Sequence, residues 1–440
     1  MSVNSKKKIA VGLDIGTSKV CVLVASKVIG SDKLDILGIG NAPSEGLNRG
    51  VVVNIERTAN SIKKAIEQAE HQSGIKIEEV VVGIAGDHIE SFQTKGIVGI
   101  SSDTHEITQS DIDRLLTEAR LVAIPSEREI IHVMPQDYII DGQDGIFDPL
   151  GMSGVRMEAN VHIITGIKTA IENIHHCVKR CGVRVKDIVL EPIASSKALL
   201  SDEEKEVGVA IVDIGGGTTD VAIFEENIIR YSSVFGIAGR HVTADIGNVL
   251  NITVRKAETV KREYGHTYLE DIMHDEVFMI PGINGRKPIE TNRTYLCQII
   301  QPRMEELFEF ALAEIKKSGF ADRLGAGVII TGGTTLLNGT EELARKTFNM
   351  PIKIGIPTGK SFSGLAPDVE SPIYSTGVGL VLYALENAKE IEDINNIEEN
   401  DKDKSADNLS TDTGQENTDE KESKTKTPII KKITTFIKTL

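Results

Sequence analysis

Residues 209–225 read VAIVDIGGGTTDVAIFE, and this stretch decides the fold. Two apolar runs flank three glycines and two threonines, the pattern of two short buried strands joined by a tight turn. Residues 9–24, IAVGLDIGTSKVCVLV, repeat the device: an apolar run, Asp-Ile-Gly, a turn of small residues and a second apolar run. Each segment predicts a β-hairpin. Their separation of about 200 residues predicts two related α/β domains, each opening with the same hairpin.

The turns carry a chemical implication. Glycine lets backbone N–H groups approach an anion closely, and hydroxyls at the tip add donors. Gly16, Thr17, Ser18 and Lys19 form one tip, and Gly215, Gly216, Gly217, Thr218 and Thr219 the other. Two such tips facing each other would clamp a triphosphate from both sides. Asp14 and Asp213 close the strands that lead into them. A carboxylate repels phosphate but can hold Mg²⁺ through water, so these two are the metal candidates. The chain contains no GxxxxGK[ST], which excludes a P-loop site.

Working outward, residues 58–72 have helical periodicity and residues 80–85 form an apolar strand. The stretch 86–163 breaks the pattern with strand-like segments, a helix near 110–122 and Asp-Gly turns, and reads as an inserted subdomain. Helix, strand and helix resume at 170–181, 187–190 and 194–200. In the second half, 239–250, 257–264 and 295–317 are helical, 326–331 is a strand ending in Gly332-Gly333, and 375–386 is a closing helix.

Composition narrows the function. The chain has 440 residues, more than one compact core accommodates, and a formal net charge of −16. That charge and the absence of Trp argue against nucleic-acid binding. The four cysteines, Cys21, Cys177, Cys181 and Cys297, form no CxxC pair and read as free thiols of a reducing compartment. His175 and His176 beside Cys177 occupy adjacent helical positions that face different ways, so no metal site is expected there. The basic N-terminus leads into residues 9–13 and then Asp14, which is not an export signal, and no run of eighteen apolar residues occurs to span a membrane.

Residues 390–426 carry thirteen acidic and five basic side chains, about half the net charge, with almost no apolar periodicity. Residues 390–427 are expected to be a disordered linker. Beyond it, Ile429, Ile430, Ile433, Phe436, Ile437 and Leu440 fall on one helical face, with Lys431, Lys432 and Lys438 on the other. Such a segment suits an anionic lipid interface, and a protein groove is the competing partner.

Together these segments resemble the ATPase superfamily of actin, sugar kinases and heat-shock chaperones. Residues 13–20 resemble its first phosphate motif, 212–224 its second and 329–339 (IITGGTTLLNG) its adenosine motif. Residues 190–198 (LEPIASSKA) and 375–384 (STGVGLVLYA) resemble its connecting segments, and all five stand in the family's order. The resemblance implies an α/β, actin-like two-lobed ATPase fold of duplicated ribonuclease-H-like domains, binding ATP and Mg²⁺. It places Gly332, Gly333 and Thr334 against the adenosine and α-phosphate, Glu258 and Lys261 on adenine and ribose, and Glu191, Asp213 and Thr218 near the hydrolytic water.

Within the superfamily the chain is most similar to the bacterial cell-division FtsA family, over roughly residues 8–389. The position of the insertion, its exit at residues 151–166 (GMSGVRMEANVHIITG) and the C-terminal helix carry that likeness. It implies domains at 1–86 with 165–203, at 87–164 for the insertion, and at 204–250 with 326–389. An outer lobe at 251–325, the linker at 390–427 and a membrane helix at 428–440 complete it. It further implies actin-like filaments, a septal membrane location, at most weak ATP hydrolysis, recruitment of other division proteins and capture of the FtsZ tail by the outer lobe. Arg303 and Glu306 are candidate contacts for that tail. The alternative is a sugar-type kinase of the same fold. A chaperone would need a substrate-binding β-domain after Ala388, where a disordered segment is expected instead, and a cell-shape filament protein usually lacks the insertion.

Overall fold

The computed structural model describes residues 7–28, 33–282, 287–358 and 362–387. The linker and C-terminal helix expected at 390–440 lie outside the described residues. Both hairpins form. Lys7–Ile15 pairs antiparallel with Lys19–Val28, and Val209–Ile214 with Thr219–Glu225, each turning at its glycine tip.

Each hairpin sits in a sheet of the same plan. In the first, Arg184–Leu190 and Glu79–Ile84 run parallel to Lys7–Ile15, while Lys19–Val28 and Leu34–Pro43 continue antiparallel on its other side. In the second, Ile352–Ile354 and Val328–Thr331 take the parallel places, and Thr219–Glu225 and Ile228–Phe235 the antiparallel ones. The helix Ile55–Ser73 covers the first sheet. Asn54 caps it by accepting from the Arg57 amide at 3.0 Å, and Gly74 ends it in the left-handed region. Gly40 lets it approach: a Cβ there would lie 1.8 Å from the Ala65 carbonyl oxygen.

Alternation along the central second-domain strand separates two cores. Val209 and Ile211 face one that includes the first sheet, while Ala210, Val212 and Ile214 face the helices Gly239–Val249, Arg293–Lys317 and Thr340–Phe348. Strands buried on both faces need apolar residues throughout, which explains the unbroken run. The helices Glu191–Leu199 and 375–387 lie in the shared core, touching where a Cβ on Gly379 would come 1.8 Å from the Ala194 carbonyl oxygen. The segment 326–389, expected in the second domain, supplies strands to both sheets. Phe362–Gly364 extends the first sheet by pairing with Leu34–Pro43, and Val378, Leu380 and Val381 pack with Leu13 and Leu23. The last helix is apolar on the face that completes this shared core.

The inserted segment is a four-stranded sheet, in the order Glu90–Gly99, Arg156–Ile167, Arg128–Ile140, Gln143–Ile146, backed by the helix Gln109–Arg120 with its own core. Side chains from three of its strands cap the edge strand Ile228–Phe235 of the second domain. Ser91 donates to the Ser232 carbonyl at 2.7 Å, Gln136 to the Ile229 carbonyl at 2.8 Å, and His162 Nε2 lies 3.0 Å from Ser232 Oγ. The insertion thus joins both domains. No helix among the described residues is long and apolar enough to cross a membrane.

Candidate functional site

The two tips meet. A Cβ on Gly216 would fall 2.0 Å from Ser18 Oγ, and one on Gly217 would fall 2.5 Å from Thr17 Oγ1. Each tip is tightly wound: the Gly215 amide donates to the Thr218 carbonyl at 3.0 Å, and a Cβ on Gly16 would sit 2.9 Å from the Lys19 carbonyl oxygen. Thr17 Oγ1 accepts from the Gly50 amide at 3.2 Å, and Thr219 Oγ1 donates to the Ile237 carbonyl at 2.7 Å, so both hydroxyls also brace the turns. The Lys19 ammonium donates to the Ile373 carbonyl at 2.8 Å and lies 4.2 Å from the Tyr374 ring centre.

Beneath the tips four acidic side chains converge. Burial pushes the Asp14 carboxyl up to about 6, against the opposing charge of Lys19. Burial, then the charge of Asp14, raises Asp213 to about 6, although Ser195 and Thr376 donate to it at 3.1 and 3.4 Å. Glu191 stands well above the usual carboxylate range through burial and the charges of Asp14, Asp220 and Asp213, and Asp220 is raised by burial and Asp213. Asp220 Oδ1 is buried with no hydrogen-bond partner. Like charges gathered away from water are unfavourable unless a cation joins them. Among the described residues no three carboxylate, imidazole or thiol side chains are grouped closely enough to ligate an ion directly, so a cation at this site would be held through water.

The second lobe supplies the remaining expected residues. Gly332, in the left-handed region at φ +91°, packs so closely that a Cβ would lie 2.4 Å from Asp213 Oδ1. Thr334 Oγ1 donates to the Gly215 carbonyl at 2.8 Å, which ties the glycine pair Gly332-Gly333 to the second tip. Glu258 and Lys261 form an ion pair at 2.7 Å, and Lys261 also donates to the Gly239 carbonyl at 3.1 Å and to Thr243 Oγ1 at 2.8 Å. Burial alone would raise Glu258, but the Lys261 charge and hydrogen bonds from Lys261, Thr243 and Arg262 bring it to about 2. Gly239 adjoins Thr334, so this pair borders the same cleft.

Arg303 and Glu306 lie elsewhere. Arg303 is bound at 2.6 Å to Asp245 of the helix Gly239–Val249 and pairs with Glu306, which makes it a brace within the second domain. The cysteines are all free thiols, and burial pushes Cys21 up to about 12. Sequence reading missed Asp220, Ser195 and Thr376. Asp220 had a signal, because it stands opposite Asp213 in the hairpin register. Ser195 and Thr376 lie in the two connecting segments, yet only the crossing of those helices sets both hydroxyls on Asp213.

Two duplicated domains around a carboxylate-lined cleft, bridged by paired helices, define an actin-like ATPase fold. Solved structures of that fold agree. The chain aligns over 86% of its length with 98% of a chain of the PilM–PilN type IV pilus biogenesis complex at TM-score 0.63 and 17% identity. It aligns over 88% of its length with 98% of MreB5 of Spiroplasma citri bound to ADP, at TM-score 0.51 and 14% identity. Family models describe residues 210–379 as cell division protein FtsA and residues 86–165 as the SHS2 domain inserted in FtsA. Cell division protein FtsA of Pseudomonas aeruginosa is 47% identical over 88% of this chain and 91% of its own length. The Bacillus subtilis protein is 37% identical over 88% and 85%, and that of Escherichia coli K12 36% over 87% and 91%. The chain belongs to the FtsA family of cell division proteins.

Proposed function

We propose that this FtsA-family chain binds ATP with Mg²⁺ between the two hairpin tips, polymerises into actin-like filaments at the cytoplasmic face of the membrane, and tethers the FtsZ ring there. The observation that carries the nucleotide reading is the meeting of two glycine tips over three buried carboxylates, Asp14, Asp213 and Asp220, with the half-buried Glu191 beside them. Asp14 and Asp213 would hold the ion through water, and Gly332, Gly333, Thr334, Glu258 and Lys261 would hold the nucleoside. Magnesium supplies neutralisation of phosphate charge when bound. Glu191, Asp213 and Thr218 would position the hydrolytic water, with at most weak turnover.

Residues 428–440 would lie in anionic lipid through Ile429, Ile430, Ile433, Phe436, Ile437 and Leu440. One short helix binds weakly, and an array of linked subunits binds far more tightly through effective concentration. Attachment and polymerisation are therefore coupled. The FtsZ C-terminal tail would dock on the outer lobe at the septum, with other division proteins following. Co-sedimentation with anionic vesicles, plus and minus ATP and Mg²⁺, compares the full chain with one ending at Thr427. The full chain should pellet, more so with nucleotide, and bring FtsZ with it. Equal pelleting of the shortened chain sinks the tether, and indifference to nucleotide sinks the coupling.

A further inference from the structure

Arg240 stands where the two turns meet and belongs to neither motif. Its backbone N–H donates to the Gly216 carbonyl at 2.8 Å, so its main chain travels with the second tip. Its guanidinium crosses the cleft to the Thr17 carbonyl at the first tip, and reaches the Leu47 carbonyl at 3.5 Å. Among the described residues no carboxylate bonds it directly, although the charge of Glu258 acts on it. A guanidinium hydrogen-bonded only to neutral carbonyls, with the Glu258 charge near but not bonded to it, gains by exchanging them for anionic oxygens, because charge-assisted hydrogen bonds are about twice as strong.

The tips touch without a side chain between them, since added Cβ atoms on Gly216 and Gly217 would lie 2.0 and 2.5 Å from Ser18 Oγ and Thr17 Oγ1. Any polyphosphate entering there must part them. Parting stretches the bond from Arg240 to Thr17, because one end rides on each lobe. The guanidinium is then released beside the anion that displaced it.

We propose that Arg240 is a latch and a phosphate-binding residue: it ties the two lobes while the tips are closed, and moves to the phosphate oxygens of a nucleoside polyphosphate that parts them. This rests on the nucleotide reading above. The test uses the full chain with Arg240 intact, Arg240→Ala and Arg240→Lys. Affinities for ATP and for adenosine, which has no phosphate, are measured with Mg²⁺ present. The side chain is exposed, so folding should survive, and thermal unfolding verifies this.

Arg240→Ala should weaken ATP about tenfold while leaving adenosine unchanged, and Arg240→Lys should fall between. Without nucleotide, Arg240→Ala should also speed amide exchange at Thr17–Lys19 and Leu47–Val52. Unchanged ATP affinity, or equal loss for ATP and adenosine, overturns the assignment. If the unaltered chain bound no ATP, the nucleotide reading itself would fall, and this inference with it.

Discussion

At position 332 a side chain has nowhere to go. The backbone is left-handed, and a Cβ would meet Asp213 Oδ1 at 2.4 Å and the Ile214 carbonyl oxygen at 2.6 Å. Gly332→Ala should cost about 1–3 kcal/mol of stability, read from the urea midpoint by circular dichroism. It should also weaken ATP binding by displacing Asp213. A second residue-scale effect concerns pH. Burial, helped by His132, lowers His162 from 6.5 to about 4, and its Nδ1 has no partner. The unfolded ring takes up its proton near 6.5 and the folded one only near 4, so its stability contribution is complete above 6.5 and is lost as pH falls through that window. Asp14 and Asp213, raised to about 6, act in the opposite sense over part of the same range. The difference between the unaltered chain and His162→Gln isolates the ring: the variant should lose less stability between pH 6.5 and 4. Parallel stability–pH curves would contradict this.

Elements meet where small residues allow backbone contact. The helices Glu191–Leu199 and 375–387 cross at Gly379, against the Ala194 carbonyl, and the same crossing holds Ser195 and Thr376 3.1 Å apart beside Asp213. A bulky residue there should force the helices apart. Gly379→Val is expected to destabilise by about 1–3 kcal/mol through overpacking, and to weaken Mg²⁺–ATP binding by pulling both hydroxyls off Asp213. Isothermal titration on the folded variant measures the second effect, and unchanged affinity would show that the crossing does not set the site. At this scale sequence reading succeeded for the hairpins and for the helix expected at 58–72 and found at Ile55–Ser73, where periodicity was strong. It did not show that Phe362–Gly364 pairs with Leu34–Pro43, because a short edge strand carries no label naming the sheet it joins.

For the whole molecule, the insertion spans both lobes. It grows from the first domain and caps the edge of the second through Ser91, Gln136 and His162. Motion of one lobe against the other must therefore shear or drag this seam. Adding ATP with Mg²⁺ should change hydrogen exchange not only at Thr17–Lys19 and Gly215–Thr219 but also along Ile228–Phe235. Exchange confined to the tips would mean that the seam slips freely and the insertion is uncoupled from the cleft.

Legible in the sequence alone were local, repeated features: two hairpins with glycine tips and acids at their bases. Strand alternation and turn chemistry act between near neighbours, so they are written in short stretches. Packing of distant segments alone brings Asp14, Glu191, Asp213 and Asp220 within reach of one another's charge, carries Arg240 to Thr17, and sets the last helix in the core between the two sheets. Those relations join residues tens to hundreds of positions apart. They follow from packing many apolar faces at once, which no short stretch of sequence records.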